Sequence, residues 1–476
     1  MPEYLSPGVY VEDYPSVAPM EGTSTTVGGF IGISQRGPVN EPVYITSWNG
    51  YIEKFAYGMD TPFLPNSDLA YAVYGFFQNG GKKCYVVRTA HTETAKSAEC
   101  SLKEPDTILI NAKDEGAWGN KLKISITANE INTSNFDITV KYNGEVVEVL
   151  SDLSNTEGDK YWVDYVNDNS NFISAISGTL AAKEGTFASG ADGVDDIADA
   201  DFVASLPMFD TVDDVNMIAI PGQTASAVQQ GMISYIENRG DIFGIFDSPE
   251  TADVEAVLAL RKKTTCKAGE LLFPWIKVSD PLSSSGKTRV CPPSGHVMGV
   301  IARIILSRGV WKAPAGTEAV VRGAIETTVY LPQGETDRLN PAGVVSILSK
   351  PNAGIVVWGA RSMSADASMR YVSDVLLDIY IKKTVYNNTQ QFVFEPNAPE
   401  TWSRVVSTIS GFLDTLWRDG GLFGNTAREA YYVKCDEDLN TESVRKSGRM
   451  ITEIGYASKK PAEFVIFRFS HDVSNS

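Results

Sequence analysis

The sequence predicts an α/β protein carrying a β-rich insertion and an α+β C-terminal segment, and three features point to it. From Asn216 onward strand-like and helix-like runs alternate, between about 96 and 195 short alternating strands take over, and each chain end carries a strand-like stretch of its own. Strand and helix in alternation imply parallel crossovers, because a parallel pair needs a connection long enough to hold a helix. The 476 residues divide accordingly into an N-terminal extended arm (1–24), an α/β part (25–95 and 200–345), the insertion (96–199) and a C-terminal domain (346–476).

Pro2, Pro7, Pro15 and Pro19 keep helix out of the first twenty residues, where Gly8, Val9, Tyr10, Val11 and Glu12 form the one strand-like stretch. An apolar run from Val27 to Ile33 reads as strand, and a helix is expected from a Ser67 cap through Leu69, Val73, Phe76 and Phe77 to the Gly80-Gly81 stop, followed by a buried strand from Cys84 to Arg88. In the insertion, Asn143-Gly144 between alternating runs predicts a hairpin over Phe136 to Leu150, since both turn residues need positive φ. The α/β rhythm then gives strands at 217–220, 242–246 and 271–276, helices near 225–237 and 252–262, and a helix from His296 to Ser307 capped by Ser294. The C-terminal segment opens with strands at Val344 to Leu348 and Ile355 to Trp358, continues with a helix from about Asp366 to Lys383, and holds a capping box at Asn397 and Glu400. Behind that box Trp402, Val405, Val406, Ile409, Phe412, Leu413, Leu416 and Trp417 recur at three- and four-residue steps, one apolar helix face that a domain core would use. Phe464, Val465, Ile466, Phe467, Arg468 and Phe469 close the chain as a strand apolar on both faces, which calls for cover on both sides.

Hydrophobic residues make up 43% of the chain and charged ones 21%, enough for several cores. The formal net charge of −18 excludes a sequence-independent grip on nucleic acid, which needs clustered Lys and Arg. Residues 401–476 hold ten acidic and ten basic side chains, so the excess lies in the first 400. Five widely spaced cysteines without a C-x-x-C pair suggest neither a disulfide framework nor a zinc site. The start Met1-Pro2-Glu3-Tyr4 lacks a basic and apolar leader and no run of about 18 apolar residues occurs, so a reducing cytosol and no membrane span are expected. A secreted β-sandwich adhesin is disfavoured on the same ground.

No cofactor or catalytic site is expected. Gly286-Lys287-Thr288 resembles the end of a phosphate loop, but Pro281 stands where its first glycine belongs. His91, His296 and His471 are the only histidines and no G-x-S-x-G occurs, which disfavours an α/β hydrolase-type enzyme. Asp192, Asp195, Asp196, Asp199 and Asp201 lack the spacing of a calcium loop and read as a solvated linker that helps cap a helix near Phe202.

Ser6-Pro7-Gly8-Val9-Tyr10-Val11-Glu12, Gly37-Pro38, the stretch from Gly75 to Gly81 leading to Tyr85-Val86-Val87-Arg88, and Gly116-Ala117-Trp118-Gly119-Asn120 resemble the contractile tail sheath proteins of phages, phage-like bacteriocins and contractile injection systems. The C-terminal likeness is denser: Asn340-Pro341, Gly359-Ala360-Arg361, the run from Phe392 to Asn397, Leu416-Trp417-Arg418, Val433 to Asp436, Glu453-Ile454-Gly455, and Pro461 to Arg468. Residues 128–200 match least.

The resemblance implies a subtilisin-like α/β middle domain, a β-rich insertion toward the outside, and a C-terminal sheath domain with strand-exchanging terminal arms. It also implies stacked hexameric rings of this chain around an inner tail tube, with baseplate and tail terminator as partners. Such a particle, a virion tail or a DNA-free tailocin or injection system, would be assembled in a bacterial host's cytoplasm. Gly8 to Glu12 and Phe464 to Phe469 match the exchanged strands, and Arg445, Lys446 and Arg449 are candidates to face the tube.

Overall fold

The computed structural model describes residues 20, 22–59, 61–103, 107–283, 286–464 and 466. One compact unit spans Ser24–Ile379 and takes up the chain again from Pro461; the other contains Tyr380–Lys460.

The first unit is built on an eight-stranded sheet in the order Gly354–Trp358, Val344–Lys350, Gly269–Phe273, Phe243–Asp247, Met217–Ala219, Val27–Gly32, Lys83–Arg88, Pro42–Ile45. Its six inner strands run parallel, and the strand at either edge is antiparallel to its neighbour. Parallel strands are covered on both faces, which explains why Val27–Gly32, Phe243–Asp247 and Gly269–Phe273 are buried along their whole length. Successive residues feed opposite layers. Ile31 and Ile218 join Phe209, Met232, Ile236 and Val257 on one face. On the other, Phe30 meets Phe76 edge to face with ring centroids 5.5 Å apart.

That second layer depends on the crossing of helix Leu69–Gln78 with helix Ser294–Arg308, which pack against each other. A Cβ at Gly295 would collide with the Cα and carbonyl oxygen of Ala72, so the helices approach to backbone contact there. Leu69–Gln78 falls where expected, with Asp68 rather than Ser67 as its N-cap residue. Ser67 Oγ instead accepts from the Leu69 amide at 3.3 Å.

Two sequence expectations shift. Val344–Lys350 and Gly354–Trp358, assigned to the C-terminal domain, pair onto the main sheet through Leu271, Leu272 and Phe273, so the α/β unit continues through Ile379. The helix expected from Asp366 begins at Val372. Asp366 caps a 3-10 turn by accepting from the Ser368 amide at 2.8 Å, and Tyr371 bridges to Arg361 as extended chain before the helix can start.

The insertion holds a four-stranded antiparallel sheet (Lys183–Thr186, Leu122–Ala128, Phe136–Tyr142, Glu145–Leu153) and a three-stranded one (Ser97–Leu102, Ile108–Glu115, Ile173–Ser177). Trp162, Phe172, Ile124 and Ile138 are in their shared core. Asn143 and Gly144 turn the expected hairpin with φ of 50° and 90°. Two buried arginines tie this body to the main sheet. Arg88 donates to the carbonyls of Gly37 and Glu115, both at 2.8 Å, and Arg36 lies 4.3 Å from the Trp118 ring centroid while pairing with Asp114. Near the insertion's exit, Asp201 caps helix Asp199–Ala204 by accepting from the Ala198 amide at 2.8 Å.

In the second unit, helix Pro399–Arg418 buries Trp402, Val405, Ile409, Phe412, Leu413 and Leu416. Tyr431–Lys434 and Glu453–Tyr456 form a two-stranded antiparallel sheet. All five cysteines are free and buried. Among the described residues, no helix is long and apolar enough to cross a membrane.

Gly295→Ala should destabilise the protein by about 3 kcal/mol, the upper range for forcing extra volume into a close-packed contact. Gly334→Ala, in helix Gln333–Ala342 with nothing within 4 Å of its would-be Cβ, should be neutral or slightly stabilising; denaturant unfolding of both variants checks the contrast.

Candidate functional site: an assembly surface

Open α/β sheets place their chemistry beyond the carboxyl ends of the parallel strands. In this sheet that position is filled by its own side chains. Asp247 ends its strand and accepts from the Ser294 amide at 3.0 Å, the Ser294 hydroxyl at 2.7 Å and the Gly222 amide at 3.2 Å. Ser294 is therefore the first residue of its helix, held by a carboxylate, and not the cap expected from sequence. His296 points the other way, its ring against Gly75. Asp247, Ser294 and His296 are at most 3% exposed, so no substrate reaches them. Burial raises the Asp247 carboxyl from 3.8 to about 7 against the pull of the Ser294 and Gly222 hydrogen bonds. The same desolvation lowers His296 to about 4.

The second unit holds a small two-stranded sheet. Among the described residues Tyr431–Lys434 and Glu453–Tyr456 belong to no larger sheet. Helix Pro399–Arg418 packs against Tyr431–Lys434. Two four-residue strands are marginal by themselves, and the Phe423 amide holds the chain just beyond them by donating to the Ala457 carbonyl at 2.8 Å.

Beside this pair, residues 441–451 form a loop with the short helix Glu442–Lys446, and Arg445, Lys446 and Arg449 are exposed on it. Asn440, fully buried, closes the loop: its Nδ2 donates to the Ile451 carbonyl at 2.9 Å and its Oδ1 accepts from the Ile451 amide at 2.6 Å. Asn397 holds the far side. Ala398 takes the helix N-cap position, and Asn397 instead accepts from Trp402 Nε1 at 2.7 Å and donates to the Arg449 carbonyl at 2.6 Å. The expected capping box is thus replaced by a tie between helix and loop. Arg445 completes it, 6.0 Å from the Trp402 ring centroid. Sequence reasoning named the basic trio but missed Asn440, whose only cue is an Asn in a loop, a side chain suited to bonding nearby backbone.

Of the expected exchange strands, Gly8, Val9, Tyr10, Val11 and Glu12 lie outside the described residues, as do Val465, Phe467, Arg468 and Phe469. Phe464 and Ile466 are described, and at 73% and 77% exposure neither is covered by its own subunit. The apolar helix face from Trp402 to Leu416 is core and is not offered to a partner.

An α/β body with a buried polar centre, continued by a small α+β unit, fits a structural protein. Family profiles agree: the phage tail sheath protein central domain matches residues 195–363 and the phage tail sheath C-terminal domain matches residues 364–471. The chain belongs to the contractile tail sheath family, whose members are structural proteins and not enzymes. It is 24% identical over 258 residues to a putative prophage major tail sheath protein of Pseudomonas aeruginosa, covering 53% of this chain and 64% of that one. To the tail sheath protein of Burkholderia phage BcepMu it is 25% identical over 258 residues, 50% and 49% of the two chains. The chain thus spans about half to just under two thirds of these curated relatives. Its fold is similar to that of the sheath of an extracellular contractile injection system in the contracted state (TM-score 0.64, 23% identity, 99% and 98% of the two chains). The sheath tail protein of Listeria innocua gives a TM-score of 0.65 at 13% identity, over 92% and 96%.

Asp247 in the folded chain keeps a proton that the unfolded chain releases above about 4. Its contribution to stability is therefore complete at low pH and lost as pH rises toward 7. Asp247→Asn should flatten that decline in a Tm series across this window, leaving the part due to buried Glu270, raised to about 8. Asn440→Ala removes both side-chain bonds to the Ile451 backbone, should cost about 2 kcal/mol at roughly 1 kcal/mol each, and should speed amide exchange across 441–451.

Proposed function

We propose that this chain is the repeating subunit of a contractile tail sheath: it polymerises around an inner tube as stacked hexameric rings and contracts to drive the tube through a target envelope. The observation that carries this reading is the match to the phage tail sheath central and C-terminal domains over residues 195–471, and the small sheet of Tyr431–Lys434 and Glu453–Tyr456 is the one that strand exchange enlarges. Added strands from neighbouring subunits complete it, one being Gly8 to Glu12 and the other Phe464 to Phe469. About four to six backbone hydrogen bonds per joint, at roughly 1 kcal/mol net each, supply a few kcal/mol. The exposed Phe464 and Ile466 side chains fit a strand that finds its pockets in another subunit.

Joints of this kind persist while the bodies they connect slide and rotate. Contraction is then a cooperative passage from a metastable lattice to one with more buried surface, with no nucleotide consumed. The order of parallel strands supports a subtilisin-like reading of the α/β unit as a non-catalytic body. The loop with Arg445, Lys446 and Arg449 is the candidate tube-facing surface, and a baseplate and tail terminator are the expected end partners in a virion tail or phage-like particle.

Removing residues 1–14 should abolish striated cylinders in electron micrographs of the purified protein with its tube, leaving folded, unpolymerised subunits. Cylinders that form and contract as in the intact chain would refute strand exchange.

A further inference from the structure

Glu463 stands immediately before the proposed exchanged strand, and two side chains of the α/β unit, Arg361 and Tyr371, converge on its carboxylate. Arg361 Nε donates to Oε1 at 3.0 Å and its terminal nitrogen to Oε2 at 2.6 Å, a two-pronged pair. The Tyr371 hydroxyl donates to Oε2 at 3.4 Å. The guanidinium and carboxylate are only 16% and 14% exposed, so water competes weakly for them. This pair holds the carboxyl below its ordinary range. Arg361 is itself fixed by backbone: Ala360 accepts from the Val372 amide at 2.9 Å, and the Ser362 amide donates to the Arg370 carbonyl at 2.8 Å. It follows edge strand Gly354–Trp358, whose outer side is paired through Val320 and Val321.

The chain therefore leaves the small second unit at Lys460 and is fastened to the α/β unit before the apolar strand begins. From this geometry we propose that Arg361 and Glu463 are positioning residues that root the C-terminal arm on the edge of the large sheet. Tension applied to the arm by a neighbouring subunit then enters the eight-stranded body, bypassing the two-stranded sheet that receives other subunits' strands. The root also sets the direction and free length of the arm, and so which neighbour it reaches. Two of the stretches noted in sequence, Gly359-Ala360-Arg361 and Pro461 to Glu463, acquire a common purpose. The proposal rests on the strand-exchange reading.

The test compares Arg361→Ala, Glu463→Ala, the reversed pair Arg361→Glu with Glu463→Arg, and a chain ending at Phe464, all with the tube protein. The two single variants should keep the circular dichroism and main unfolding transition of the parent, exchange amides at 461–464 faster, and need about tenfold more protein to polymerise, the effect of losing one charge-assisted hydrogen bond. The reversed pair should recover most of that loss. Should Arg361→Ala fail to fold, Glu463→Gln, which keeps the shape, gives the measurement. Single variants that polymerise like the parent while the truncated chain does not would overturn the clamp and leave strand exchange standing. A truncated chain that polymerises normally would remove the exchange reading and the clamp with it.

Discussion

Backbone groups at the edge of a sheet must find partners, and this requirement organises the whole chain. The large sheet closes its own edges. On one side Gly354–Trp358 receives the 316–321 segment, with the Val321 amide donating to Ile355 and the Val357 amide to Ala319. On the other, Pro42–Ile45 is only four residues long and begins with a proline, which has no amide hydrogen to offer. The strands Tyr431–Lys434 and Glu453–Tyr456 are likewise four residues long, and the chain after the second is bridged from Ser458 to Leu422.

The large unit owes its rigidity to close approach. Where Ala72 meets Gly295, two helices touch backbone to backbone over the buried sheet, and the space an α/β enzyme would leave for a ligand is taken by Asp247, Ser294 and their hydrogen bonds. A polar cluster with its hydrogen bonds made internally stiffens a body.

Side chains that bond backbone do the fine positioning. Arg88 bonds two carbonyls from separate segments and holds the insertion to the sheet; Asn440 and Asn397 close and tether the loop that displays Arg445, Lys446 and Arg449. Arg88 and Asn440 are buried, so their own polar groups depend on these bonds.

Local patterns were legible in the sequence because their causes are local. The Asn143-Gly144 hairpin, the strand and helix alternation after Asn216 and the apolar face from Trp402 follow from φ preferences and from periods of 2 and 3.6, and the structure has each of them. What the tertiary structure decided is what becomes of polar groups when distant segments meet. Ser294 reads as a cap until Asp247, 47 residues away, claims its hydroxyl, and Asn397 reads as a cap until the Arg449 carbonyl and the Trp402 indole claim its amide. The strands at Val344 and Gly354 read as the start of a new domain until the exposed side of Gly269–Phe273 recruits them. Spacing along a chain encodes the elements. The partner that satisfies a buried donor or acceptor, or an open strand edge, is set by which surfaces are brought together, and no single stretch of sequence contains that information.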